Sequence, residues 1–310
     1  MSGFHLHFSN RSEELADALA ELLHRPLGTP LQPETVVVQS RGMERWLALG
    51  MAQRLGIWAN VDTPFPNAMV DRFFNAVLPD ATPALQLQPE NLTFSLMQRL
   101  PELLTNPVFA PLRPYLAADD GSNLRLYQLC RRLADLFDQY TVFRPELILA
   151  WDAGEERDDW QAALWHAVNP GGVLPHRAAL RQAFFERLEK GEFNHQSLPE
   201  RISLFGISTL PPLHLQVFLA MARHCEIHLF LLNPCRHYWS DILSQREQLR
   251  RQETSGSDVE TLHLDEGHPL LASLGQSGRS FLRQLDALDD FTPQERYVDP
   301  GCASLLTTLQ

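Results

Sequence analysis

Strand-like runs occur in about the first 80 residues of this chain and again after about residue 200, and not in between. Near the start, "HLHFS" (His5 to Ser9) and "ETVVVQS" (Glu34 to Ser40) are short and rich in aromatic or β-branched residues. Each leads into a helix-like stretch. "SNRSEELADALAELL" follows the first, and "RGMERWLALGMAQRLG" the second, where Ser40 stands ready to cap. A third piece, "ANVDTPFPNAMVDRFFNAVL", gives a short extended run, a proline turn and a helix with Val70, Phe73, Phe74, Val77 and Leu78 on one face. From about Pro79 to Glu200 strand signals vanish. Helical patterns dominate there, over Asn91 to Leu104, Leu124 to Tyr140, Pro145 to Asp152, Asp158 to Val168 and His176 to Lys190. Strands then return as "RISLFG" and "EIHLFLLNPC", separated by the apolar helix "LPPLHLQVFLAMARHC". Alternating strands and helices of this kind build a parallel α/β sheet. The expected organisation is a sheet domain from residues 1–79 and 201–290, with residues 80–200 as an inserted all-helical subdomain. Helices are also expected over "HYWSDILSQREQLRRQ" and "HPLLASLGQSGRSFLRQLDAL". "ETSGSDVETLHLDEG" reads as a polar loop, and residues 291–310 as a linker or fragment end.

A strand, a turn and a helix at the start of a chain invite a test for nucleotide binding. A phosphate loop needs glycines whose backbone N–H groups wrap the phosphates, and a lysine to offset their charge. "HFSNRSEEL" has neither. Glu13 and Glu14 stand where an anion would sit and compete with it for the helix dipole. Asn10 and Glu13 have capping-box spacing, which would close the helix end with the chain's own groups. The sole lysine, Lys190, lies elsewhere. The strand "RISLF" ends at Gly206 and Ile207, without the acid pair that magnesium and water activation require. Asn10, Glu13 and Gly206 therefore read as a degenerate nucleotide site, and no bound cofactor is expected.

Other chemistry is sparse. His5 and His7 alternate on one strand and share a face, but no carboxylate partner can be named, and half-exposed strand histidines are the plainer reading. Cys225 and Cys235, with His224 and His237, fit no common zinc spacing. Neither GxSxG nor HExxH occurs. The net charge of −12 argues against coating nucleic acid by bulk attraction, though not against a local basic track. That track would be arginine, whose fork suits phosphate and guanine, unless the arginine bias only reflects genome composition. No run of 18 apolar residues and no leader pattern is present, so neither a membrane span nor secretion is expected. Four cysteines without a CxxC pair suit a reduced, cytoplasmic setting.

Five stretches together carry a resemblance. They are "HFSNRSEELADAL", "VVVQSRGMERWL…GIWANVDTPFPNAMVDRFF", "LADLFDQYTVFRPELILAW", "ISLFGISTLPPLHLQVFLAMARHCEIHLFLLNPCRHYW" and "HPLLASLGQSGRSFL". From about Phe4 to Leu285 the chain resembles the N-terminal region of the RecC family, the gamma subunits of exodeoxyribonuclease V (RecBCD). Members are several times longer, so the resemblance implies an N-terminal fragment. It implies a superfamily 1 helicase-like, P-loop-like fold without ATPase residues, with the opening turn as a retired phosphate loop. RecB and RecD would be the partners, and they would bind ATP and Mg. The expected role is a non-catalytic scaffold that splits duplex DNA, guides single strands of a fork and recognises Chi during recombinational repair. The alternative is a protein-interaction module without DNA contact.

The resemblance also implies site residues. Gln39, Asp135, Leu136, Asp138, Arg144 and Arg177 match family positions that read Chi. An amide pairs with base edges, acids accept from exocyclic amines, arginines fork onto guanine, and a leucine packs on a base face. Helix-surface ion pairs and one core leucine would explain most of the same residues without DNA. Four channel positions depart from the best-known family pattern. Arg41 and Arg45 replace small or amide side chains, Phe65 replaces an aliphatic one, and Asp71 stands in place of tryptophan. These changes imply a different or relaxed Chi, and the two arginines add sequence-independent phosphate affinity.

Overall fold

The computed structural model describes residues 3–29, 31–79, 81–117, 121–155, 158–195, 198–242, 269–288, 293–299 and 301. The chain divides into two compact units, residues 1–73 with 194–310, and residues 74–193. The division falls inside the third helix.

The first unit starts with β1 (Phe4–Ser9), α1 (Ser12–Leu23), β2 (Glu34–Val38), α2 (Arg41–Leu55), the two-residue β3 (Val61–Asp62) and α3 (Pro66–Val77). The second unit is helical, with α4 (Pro89–Leu103), α5 (Arg113–Ala117), α6 (Leu124–Phe143), α7 (Pro145–Asp152), α8 (Trp160–Val168) and α9 (Arg177–Lys190). The chain then returns to the first unit as β4 (Arg201–Phe205), α10 (Pro212–Met221), β5 (Glu226–Leu232), α11 (Pro269–Leu274), α12 (Gln276–Asp286) and β6 (Gln294–Glu295).

All six strands pair in parallel, in the order β3-β2-β4-β5-β1-β6. The register aligns Val38 with Phe205 and Phe205 with Phe230 on one face, where α1 and α2 cover them with Leu15, Leu19, Leu47 and Met51. Val37, Leu204, Leu229 and Leu6 point to the other face and are also buried. Burial on both sides explains why these strands read as unbroken apolar runs.

Polar groups gather toward the N-terminal ends of the strands on the α1 side. Arg201 is buried and pairs with Glu34, and it donates to the carbonyls of Leu22 (3.2 Å) and Arg25 (3.0 Å) at the end of α1. A cation there complements the negative end of the helix dipole. Next to it, His7 Nε2 and His228 Nδ1 lie 3.1 Å apart, His5 stacks on His228 and His7 on Phe230. His7 is thus buried, not half-exposed as its strand position suggested, because its partner lies on β5.

The helical unit is built around Leu92, Leu96 and Leu100 of α4, Leu133, Ala134 and Phe137 of α6, and Trp151 and Trp165. Phe137 meets both tryptophans edge-on, with ring centroids 6.2 and 5.4 Å away. Asp159 caps α8 by accepting from the N–H groups of Gln161 and Ala162.

Three expectations change. Residues 294–295, within the expected linker, form an edge strand that pairs with His7 and Phe8 of β1. Residues 237–242 are not helical, and the rest of that expected helix lies outside the described residues, as do the expected loop at 253–267 and residues 302–310. The last expected helix is two helices, broken at Gly275, where a Cβ would collide with the Leu271 carbonyl and the Trp239 ring.

Candidate nucleic-acid interface

At the C-terminal end of β2 the chain exposes polar and basic groups. Gln39 follows the strand directly and is exposed. Ser40 Oγ accepts from Met43 N (3.1 Å), so α2 starts where the sequence places its cap. That start sets Arg41 and Arg45 on the first turns of the helix, both exposed. Arg41 donates to Glu44 (2.8 Å) and lies over the Phe65 ring, 5.3 Å from its centroid. Arg41, with Thr63, holds the Glu44 carboxyl below the usual carboxylate range. Phe65 is brought there by the hydrogen bond from Val38 N to the Pro64 carbonyl (3.1 Å). Gln39, Arg41 and Phe65 therefore come together, with Arg45 one turn further on. Asp71 does not pair with either arginine. Its charge instead acts on His214 of α10, against the larger effect of burial, which lowers that imidazole's pKa.

The C-terminal end of β1 is filled by the chain itself. Asn10 does not form the expected capping box with Glu13. Arg11 is the N-cap of α1 and its side chain caps nothing. The Asn10 amide donates to the Val298 carbonyl (2.9 Å) and accepts from Val298 N (3.1 Å), satisfying both its functions at once. Ser9 Oγ donates to the Arg296 carbonyl (2.7 Å) and accepts from Arg11 N (3.1 Å), while Arg296 N donates to Phe8 O (2.8 Å). Glu13 is left exposed. Gly206, at φ +66°, ends β4 beneath Met43, whose methyl carbon would lie 2.7 Å from a Cβ at that position. In open parallel sheets this rim is where ligands usually bind. Here residues 296–298 and Met43 lie across it.

The helical unit holds the other expected residues. Asp135, Leu136 and Asp138 lie on α6, Arg144 is at its C-terminal end, and Arg177 opens α9. Asp138 and Arg177 meet at 3.8 Å and line a cleft of about 330 Å³ with Glu90, Thr141 and His176. Asp135 is exposed and lines a second cleft. Leu136 is half-buried. Arg144 lies over the Tyr140 ring at 5.8 Å and joins neither cleft.

The residues that hold Arg177 in place were not singled out in the sequence. His176 caps α9 by accepting from Ala179 N on Nδ1 (3.3 Å), which leaves the proton on Nε2 for Asp152 Oδ2 at 2.6 Å. Asp152 Oδ1 also accepts from Trp165 Nε1 (2.9 Å) and Asn169 Nδ2 (3.3 Å). A histidine just before a helix start was the one available hint.

Burial pushes the Cys130 and Cys225 thiols up to about 12, so both stay protonated at neutral pH. No group of three or more metal-donor side chains occurs among the described residues, nor a helix long and apolar enough to cross a membrane.

A family model described as RecC, N-terminal domain, matches residues 4–310. The chain belongs to the RecC family. RecBCD enzyme subunit RecC of Escherichia coli strain K12 is 36% identical over 337 residues, covering 98% of this chain and 30% of that protein. The subunit of the same name from Haemophilus influenzae is 31% identical, covering 99% of this chain and 33% of that protein. The one from Mycolicibacterium smegmatis is 33% identical over 95% of this chain and 27% of its own length. This chain thus spans a third or less of the length of these curated relatives.

Proposed function

We propose that this chain is the N-terminal part of a non-catalytic RecC-type subunit that holds and guides DNA strands within an exodeoxyribonuclease V complex. One contrast supports this reading above all. The nucleotide rim at β1 and β4 is filled by Asn10, Val298 and Met43, while the end of β2 exposes Gln39, Arg41, Arg45 and Phe65. A motor-like α/β sheet, of the superfamily 1 helicase kind, has on this reading kept its strand-contacting edge and lost its phosphate loop. The sheet unit would be the motor's main domain, and the helical unit its inserted subdomain. ATP and Mg are handled by the RecB and RecD partners, in the cytoplasm. Each unit carries its own Chi-reading set: Gln39, Arg41, Arg45, Phe65 and Asp71 in one, and Asp135, Leu136, Asp138, Arg144 and Arg177 in the other. The basic and aromatic pair Arg41 and Phe65 favours stacking and phosphate contact over base-edge reading, so the Chi recognised is altered or relaxed.

The test uses the full-length chain assembled with its partners on a forked DNA. Arg41→Ala with Arg45→Ala should weaken fork binding and reduce the salt slope by about 1.4, at about 0.7 per single-strand phosphate contact. A second reading, a protein-interaction surface without DNA contact, is favoured by Leu49 and Ile57, which are 63% and 77% exposed in and after α2. An unchanged salt slope, with subunit assembly lost on Leu49→Ser and Ile57→Ser, would select that reading.

A further inference from the structure

The second cleft of the helical unit has the makings of a base pocket. It measures about 330 Å³ and is lined by Glu90, Thr93 and Phe94 of α4 and by Tyr127, Arg131 and Asp135 of α6. The three α6 residues recur every fourth position and so form one stripe. Phe94 and Tyr127 are 60% and 37% exposed, and neither belongs to the core that α4 and α6 share. Among the described residues neither ring meets another aromatic side chain, and Glu90, Arg131 and Asp135 make no ion pair. The cleft therefore presents two unused aromatic rings, one free guanidinium and two free carboxylates. It also shares Pro89 and Glu90 with the Asp138–Arg177 cleft, so the two are continuous along the start of α4.

This combination matches the parts of a single nucleotide. Aromatic rings accept an unstacked base of any kind, and an arginine accepts the phosphate. Carboxylates select among bases, because they accept from the exocyclic amines of cytosine and adenine, which thymine lacks. The geometry points to a base-capture pocket in which Phe94 and Tyr127 stack one flipped nucleobase, Arg131 holds its phosphate, and Glu90 and Asp135 favour cytosine or adenine over thymine. The inference rests on the reading that this chain holds a single strand, and it adds Phe94, Tyr127, Arg131 and Glu90 to the residues that do so.

The experiment walks a 2-aminopurine along the single-stranded arm of a fork bound to the complex containing the full-length chain. Stacking quenches that base's fluorescence. One position should be quenched several-fold, and Phe94→Ala or Tyr127→Ala should restore its emission, while Phe94→Trp keeps the quench. Placing cytosine or adenine there should strengthen fork binding about tenfold over thymine, and Arg131→Gln should weaken all bases alike. Both rings are solvent-exposed, so the alanine variants should assemble normally, which sedimentation of the complex checks. If no position responds to either alanine variant while the fork binds normally, the pocket is refuted and the strand-holding role stands. If the wild-type complex binds the fork with no salt-dependent contribution from Arg41 and Arg45, the strand-holding role fails independently. Weakened subunit assembly in the Phe94 and Tyr127 variants, with the quench unchanged in the complex that still forms, would refute the pocket and reassign the cleft to a partner protein.

Discussion

Mild acid should weaken the sheet unit through its buried histidine pair. Burial first, then the charges of His5 and Arg296, lowers the His7 pKa to about 4. Burial, followed by His5 and His7, lowers that of His228 to about 3. In the unfolded chain both titrate near 6.5. Between these values the unfolded state binds protons that the folded state refuses, so stability is complete above about pH 6.5 and falls as pH drops toward 4. Each histidine would lose about 2 kcal/mol between about pH 7 and about pH 5, because the folded pair stays neutral there, so the two together lose about 4 kcal/mol. For a unit of this size that corresponds to a melting shift of about 8–16 °C. Glu21 and Glu44, whose pKa values are lowered by Arg296 and Arg41, lose their contributions only at lower pH. His214 and His224 shift in the same direction as the pair, and supply a smaller background. Thermal unfolding by circular dichroism at the two pH values gives the slope, and the His7→Gln, His228→Gln double variant gives the control. The double variant should lose more than half of the slope. An equal slope in both proteins would refute the argument from the buried pair.

Three further outcomes follow from single side chains. Arg201→Met should destabilise the sheet unit by about 3 kcal/mol, measured by urea unfolding, because it strips Glu34 and the Leu22 and Arg25 carbonyls of their buried partner. Gly206→Ala should cost about 1–2 kcal/mol from the positive φ alone, and Met43→Ala in the same chain should recover only the part due to collision. Asp152→Asn should loosen the start of α9, seen as faster amide exchange at Ala179 and Leu180, since His176 then loses the charged acceptor that fixes its tautomer.

Local features of this fold were legible in the sequence, and those set by distant partners were not. "ETVVVQS" declared both β2 and the Ser40 cap because strand propensity and helix capping act within a few residues. The same holds for α7, whose bounds the proline and the apolar spacing mark. The edge strand β6 carries no local signal. It is two polar residues long and exists because β1 offers it an unpaired edge. Asn10 and Glu13 had capping-box spacing, yet the amide took Val298, a partner 288 residues away. The burial of His7 depends on His228, 221 residues away. At the candidate interface, Gln39, Arg41 and Arg45 could be placed from the helix start, whereas the Arg41–Phe65 contact needed the fold. Asp138 and Arg177 lie 39 residues apart, and the turn of chain that joins them depends on the Asp152–His176 network.

On the proposed reading the end of β2 holds DNA, while the end of β1 holds only the chain's own residues. A photo-crosslinking amino acid placed at Gln39, and separately at Arg11, tests both halves in the assembled full-length complex with a forked DNA and an azido-ATP. Crosslinks should form from position 39 to the single-stranded arm, and none from position 11 to nucleotide. Nucleotide captured at position 11, with no DNA captured at position 39, would overturn this division of roles.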